Sequence, residues 1–317
     1  MQIVTENDII CTKKEGVKII TIDDSYKLLP DKLRGRKPKV KLRKDNKEYI
    51  FKYGSINSEI WAELIAEQLG IQVGIDMAHY EIASYKNTIG LLTNSFIKPG
   101  ELIISSDYLK KGMQAILSEN NITANLKNNS LENIIQAVFT YDNSIDSPKL
   151  YFELTKRWAF YGLIMESDKN ETNISFINSL SSGLKLSPDY DNSSMAGLNN
   201  NINQNIQSLK AGYSIYHFTD DIKSNLHRTE NDTGNFLIDF KTFSEKHQKD
   251  CEKILEEFEL INPDEAMDKV EEINNVTIPW EVRFWVNSTI SQRHQDMKSI
   301  FEQSKAKTQI KQEKKKR

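Results

Sequence analysis

The chain has 317 residues, 38% of them hydrophobic and 27% charged, and a net charge of −3 from 42 basic and 45 acidic side chains. That is enough apolar material for two lobes; no run reaches the length of a membrane span, and the charge balance gives no general attraction to nucleic acid. Two cysteines, Cys11 and Cys251, and five scattered histidines without an H-E-x-x-H pair exclude a disulfide framework and disfavour a zinc centre, so metal chemistry must rest on oxygen ligands.

The opening MQIVTENDII has no basic start before an apolar stretch, so a secretory signal is not expected and the cytoplasm is the expected compartment, with export as an effector left open. The β-branched run VKIITI predicts a strand at residues 17–22, and KVKLRKDNKEYIFKY alternates on either side of Asp45-Asn46, a hairpin pattern. SEIWAELIAEQLG predicts a helix with Ile60, Trp61, Leu64 and Ile65 as its apolar stripe and Gly70 as its stop. In that reading Glu59, Glu63 and Glu67, spaced four apart, look like a solvated face. A second hairpin, HYEIASY and TIGLLTNSF, turns at Lys86-Asn87, and Pro99-Gly100 punctuates the chain.

Beyond Pro99 the spacing becomes helical, in SLENIIQAVFTY, KLYFELTKRWAFYGLIM, FSEKHQKDCEKILEEFEL, PDEAMDKVEEI and PWEVRFWVNSTISQRHQDMKSIFEQ. ISFI and GLKLS form a short strand pair within this part, and the Asn-rich SSMAGLNNNINQNIQ reads as a loop. The basic KAKTQIKQEKKKR has almost no apolar or aromatic residues, which favours a disordered, solvated tail over a nucleic-acid arm. The expected class is α+β: a small β-rich lobe over residues 1–97, a helical lobe over 98–304, a tail over 305–317, and a cleft between the lobes.

One order of residues suits phosphoryl transfer from ATP with Mg²⁺, which needs a base, hard oxygen ligands and a cation on the phosphates. Asp168 and Asn173, in a D-x-x-x-x-N loop, would supply the base and a metal ligand. The ISFI/GLKLS hairpin would return the chain so that Asp191 reaches the same metal. Lys52, ending YIFK, would enter the cleft with Glu59 of the next helix as its partner. Singly, each has a plainer reading: a solvated loop, a surface lysine, a turn aspartate after Pro188. The order strand-Lys, helix-Glu, connector, long helix, D-x-x-x-x-N, hairpin, Asp favours the chemistry.

At YIFKYG, SEIWAELIAEQLGIQV, LLTNSFI, SDKNETNISFI, LSPDYDNSS and the late helices, the sequence resembles the HipA-like serine/threonine kinases, in particular their smaller CtkA-type branch. The resemblance implies a bilobal protein-kinase-like fold and transfer of the γ-phosphate of ATP, with Mg²⁺, to a Ser or Thr of an unidentified protein substrate, with autophosphorylation also open. It makes Asp168 the base, Asn173 and Asp191 the metal ligands, Lys52 the phosphate-gripping lysine, and Ser95, Phe96 and Ile97 the adenine-contacting hinge. It also implies a phosphate-covering loop at Gly35, Lys37 and Lys39. Two positions depart from the pattern: Asn170 stands where the family usually has a histidine, and Lys37 where it has a glutamine. The chain is expected to lack the extra N-terminal subdomain of full-length HipA toxins, so a HipB-like partner is open but not supported by the sequence. Two rivals remain: a small-molecule kinase of the aminoglycoside or choline kinase type, against which Glu166-Ser167-Asp168 lacks the H-x-D histidine, and a catalytically silent binding module.

Overall fold

The computed structural model describes residues 18–30, 33, 37–53, 57–120, 130–179, 181, 183–198, 202–211, 214–215, 218, 223, 225–229 and 231–316. The chain divides into two compact units, each discontinuous in sequence. The first comprises residues 1–98, 188–207 and 262–287; the second comprises 99–187, 208–261 and 288–317. This differs from a single helical lobe over 98–304, because two later segments pack with the β-rich unit.

The first unit is built on a six-stranded sheet in the order β1-β5-β6-β4-β3-β2, from β1 Ile20–Thr21, β2 Lys27–Leu29, β3 Lys39–Lys44, β4 Lys47–Tyr53, β5 Tyr80–Tyr85 and β6 Thr88–Asn94. Only the β1–β5 pairing is parallel. Both expected hairpins form. Their two-residue turns put Asp45 (φ 48°), Asn46 (φ 62°), Lys86 (φ 49°) and Asn87 (φ 61°) in the left-handed region, which a tight hairpin turn demands and Asn and Asp tolerate best. Side chains alternate across the sheet. One face packs Leu42, Phe51, Ala83 and Leu92 with Ile22, and the other carries Lys39, Ile50 and Lys52.

Helix α1, Asn57–Gln72, runs two residues past Gly70. The chain turns instead at Gly74 (φ 69°), while Gly70 is needed because a Cβ there would run into the Met77 side chain. The helix is buried nearly all round: Ile60, Trp61, Leu64 and Ile65 are joined by Ala62, Ala66, Leu69 and, against expectation, by Glu63 and Glu67. Part of its cover is α8, Pro263–Asn274, which starts with Asn262 capping Glu265 N at 3.2 Å and Pro263 in the first turn.

The second unit holds a three-stranded antiparallel sheet, β7 Glu101–Ser105, β8 Ser175–Ser179 and β9 Gly183–Leu186, in the order β7-β8-β9. Its helices are α2 Ser106–Glu119, α3 Leu131–Tyr141, α4 Ser147–Leu163, α6 Phe236–Lys246, α7 Gln248–Phe258 and the greater part of α9, Trp280–Lys316. Ser105, Ser130 and Asp146 cap α2, α3 and α4 with their side-chain oxygens. Its core centres on Trp158 of α4, whose ring lies 4.9 Å from Phe236, 6.5 Å from Phe240 and 6.0 Å from Phe243.

Three expectations are corrected here. FSEKHQKDCEKILEEFEL is two helices broken at His247, whose ring stacks on Phe243 at 5.5 Å. The Asn-rich stretch contains α5, Ile202–Lys210. The basic tail continues α9 through Lys316 rather than falling disordered, since Lys, Ala, Gln and Glu are good helix formers and cations suit a helix C-terminus.

Cys251 on α7 is fully buried, and burial pushes its thiol up to about 12. Alkylation at pH 8 followed by peptide mass spectrometry should therefore leave Cys251 unmodified in native protein and label it in denaturant. Rapid native labelling would contradict this packing.

Candidate active site

The first unit gathers charge on the sheet face away from the Phe51 cluster. Lys52, near the end of β4, places Nζ 2.7 Å from Glu63 Oε1 and 2.5 Å from Asp191 Oδ1. The exposures grade the pair partners: the Glu63 side chain is 1% exposed, Lys52 12% and Asp191 34%, so Glu63 is the interior anchor and Asp191 the solvent-side ligand. Burial alone would lower the Lys52 ammonium, but the Glu63 and Asp191 carboxylates outweigh it and hold Lys52 well above the ordinary lysine value. The lysine is a fixed cation at any physiological pH.

The expected partner of Lys52 was Glu59; the structure puts Glu63 there. Glu59, one turn earlier on α1, is 2.7 Å from Lys37 Nζ, which also reaches Ser193 Oγ at 3.0 Å. Glu63 is held further by the Asn192 backbone N–H, which donates to Oε2 at 2.7 Å.

Asp191 is positioned by the backbone around it. Asp189 exchanges hydrogen bonds with the chain after α1, donating to Asp76 O at 2.7 Å and accepting from Ala78 N at 2.8 Å. Asp189 Oδ2 also accepts from Asn192 Nδ2 at 3.0 Å. The intervening Asp191 takes φ 65°, a left-handed conformation that Asp enters more readily than most residues, and its N–H donates to the Tyr80 hydroxyl oxygen at 3.3 Å. Burial, then Glu63 and Asp191, pushes the Tyr80 phenol well above its usual value, so it stays neutral.

Lys39 lies directly across the ladder from Lys52. Burial lowers its ammonium, and Lys52 and Lys37 lower it further, against the opposing pull of Asp191 and Glu63. Gly90 backs Lys52 on the other side of β4, where an added Cβ would collide with the Lys52 carbonyl oxygen. Of the expected hinge, Ser95 N donates to Glu48 O at 2.8 Å, Ile97 N donates to Ser95 Oγ at 3.3 Å, and the Phe96 ring lies 5.9 Å from that of Tyr190. Gly35 lies outside the described residues.

The second unit carries Asp168 and Asn173 on the loop between α4 and β8. The Asp168 carboxylate is exposed, whereas its backbone is fixed: Asp168 N donates to Glu166 Oε1 at 2.9 Å, and Glu166 is buried beside Trp158, Phe236, Asp239 and Arg293. Lys169, fully buried, sits 4.6 Å over the Tyr161 ring. Glu171 ties the loop to α2 through Lys110 Nζ at 2.5 Å and Ser106 Oγ at 2.5 Å. Among the described residues no group of three or more His, Cys, Asp or Glu side chains is arranged to hold a metal.

A family model, the HipA-like C-terminal domain, matches residues 32–266, well over half of the chain. The chain belongs to that family. No curated protein sequence matches the chain significantly. Among solved structures, the HipA-like chain is similar to the proinflammatory kinase CtkA of Helicobacter pylori, with a TM-score of 0.69 at 17% identity over 90% of this chain and 98% of that one. It is also similar to HipA of Shewanella oneidensis MR-1, solved with HipB and operator DNA, with a TM-score of 0.51 at 14% identity over 84% of this chain and 64% of that one. The fold is thus the expected α+β kinase-like one, and family and fold together support a phosphotransferase of the kinase type.

In this HipA-like chain Asn170 braces the loop. Its Nδ2 donates to Asp168 O at 3.1 Å, its Oδ1 accepts from Thr172 N at 2.9 Å and Thr172 Oγ1 at 2.5 Å, and its carbonyl accepts from Asn173 N at 3.0 Å. An amide does this through its own donor and acceptor without a ring. Glu63 is the partner of Lys52 that spacing alone misassigned. The available signal was its setting, with Ile60, Ala62, Leu64 and Ala66 around it on α1.

Proposed function

We propose that the protein is an ATP- and Mg²⁺-dependent serine/threonine protein kinase. The observation that carries this reading is the Lys52–Glu63–Asp191 cluster in a chain of HipA-like family, because a permanently charged lysine between an interior anchor and a half-open carboxylate is suited to gripping a polyphosphate. Lys52 binds the α- and β-phosphates. Lys37 adds positive charge beside it, Lys39 stands across the ladder from it, and residues 95–97 contact the base. Asp168, exposed on a braced loop, accepts the proton of the acceptor hydroxyl.

Asp191 and the Asn173 amide oxygen are hard donors of the kind Mg²⁺ prefers, and Asn173 Oδ1 lies 3.0 Å from Thr172 Oγ1. Those two residues would hold the ion, which neutralises phosphate charge when bound. The partners in this reading are ATP and a protein carrying the acceptor Ser or Thr.

Radiolabelled ATP given to the purified protein with a cell lysate tests the proposal. Label on protein Ser or Thr is the expected result. Label confined to small molecules points to a small-molecule kinase, and nucleotide binding without transfer to a silent module. Asp191→Ala should weaken nucleotide binding roughly tenfold or more in the presence of Mg²⁺ and much less in its absence, as read by titration calorimetry. Equal losses with and without the metal would remove Asp191 as its ligand.

A further inference from the structure

We propose that Lys39 is an acylation site, whose side-chain amine takes an acyl group from small anionic donors such as acyl phosphates in preference to Lys37 and Lys52. The inference stands apart from the phosphotransferase reading, because it concerns the reactivity of one amine.

Three lysines meet here, and two have their ammonium groups occupied. Lys52 is clamped by Glu63 and Asp191 at 2.7 and 2.5 Å, and Lys37 by Glu59 and Ser193 at 2.7 and 3.0 Å. Among the described residues, the Lys39 ammonium makes no hydrogen bond or ion pair. It is directly opposite Lys52 in the β3–β4 ladder, where cross-strand side chains stand about 5 Å apart at Cβ, so a like charge faces it at close range. The charged groups around it are Asp191, Glu63, Lys52 and Lys37. The two carboxylates are already engaged by Lys52, and Glu59 by Lys37, which leaves the third amine half-buried and, among the described residues, without a partner of its own. Burial and the neighbouring ammonium favour its neutral form.

A neutral amine has a lone pair to use, and the adjacent ammonium groups attract an anionic donor. In the reaction the Lys39 nitrogen bonds to the acyl carbon and the bond from that carbon to the phosphate oxygen breaks. Inorganic phosphate leaves with the electron pair, and the amine's surplus proton passes to solvent. The product is a neutral amide, so the face loses one potential positive charge beside Lys52.

The full chain is exposed briefly to acetyl phosphate over a range of pH, and peptide mass spectrometry gives initial acetylation rates at Lys37, Lys39, Lys52 and Lys47, the exposed first residue of β4. At pH 8, Lys39 should react several times faster than each of the others, because burial and the facing ammonium favour its unprotonated form. Its rate should also reach half-maximum at a lower pH than that of Lys47, a comparison that needs no variant and so no assumption about folding. Lys39→Arg should abolish the fast phase. Labelling of Lys37 or Lys52 as fast as Lys39, or coincident pH profiles for Lys39 and Lys47, would overturn the proposal.

Discussion

Asp168→Ala is expected to slow phosphoryl transfer by roughly 10²-fold or more, the usual contribution of a general base, while leaving the fold and nucleotide affinity intact. The separation follows from the loop. The Asp168 carboxylate is exposed, and the bonds that shape the loop run through the Asp168 backbone, Glu166, Asn170 and Glu171. Truncating the side chain removes none of them. Initial rates with labelled ATP, set beside a binding isotherm and a thermal melt, give the three readouts. Wild-type rates in the variant would show that the base lies elsewhere.

Glu63→Ala should destabilise the protein by roughly 1–3 kcal/mol, because it strands the backbone donor of Asn192 and removes the interior partner of Lys52, which keeps only Asp191. Glu59→Ala should cost about 1 kcal/mol or less, since the Lys37–Glu59 pair is more open to solvent. Urea denaturation of the two variants reads the difference, and equal losses would refute the assignment of Glu63 as anchor. The pH dependence has a definite sign. The folded-state value of Lys52 is raised, so its contribution is complete below the unfolded lysine value of 10.5 and disappears only as pH climbs through the higher folded value. The ion pair's lysine therefore adds no slope to stability between pH 6 and pH 9, and the stability gap between wild type and Glu63→Ala should be lost only in strong alkali.

Both hairpins could be read from the sequence because Asp45-Asn46 and Lys86-Asn87 stand between alternating strands, and turn chemistry is local. The helices were legible from apolar spacing and caps such as Asn262-Pro263. What escaped was nonlocal. Whether Glu59 or Glu63 meets Lys52 depends on how far along α1 the sheet face reaches, and the two differ by a single turn on the same side of the helix. Glu67 misled in the same way: it is buried, accepting from Tyr80 N at 3.0 Å and lying 2.7 Å from His79 Nδ1. A row of acids four apart reads as solvated until the neighbours that cover it are known. The end of α9 failed for the opposite reason, since low apolar content argues against a core but not against a helix.

The segmented make-up of the first unit bears on its birth at the ribosome. Lys52 and Glu63 are synthesised early, Asp191 well over a hundred residues later, and the helix that covers α1 later still. A nascent chain carrying only the sheet and α1 would expose apolar flanks and hold a lysine paired on one side alone, so the unit can close only after residue 287 has emerged. The Lys52 cluster would then be completed only after residues 188–207 and 262–287 have been made.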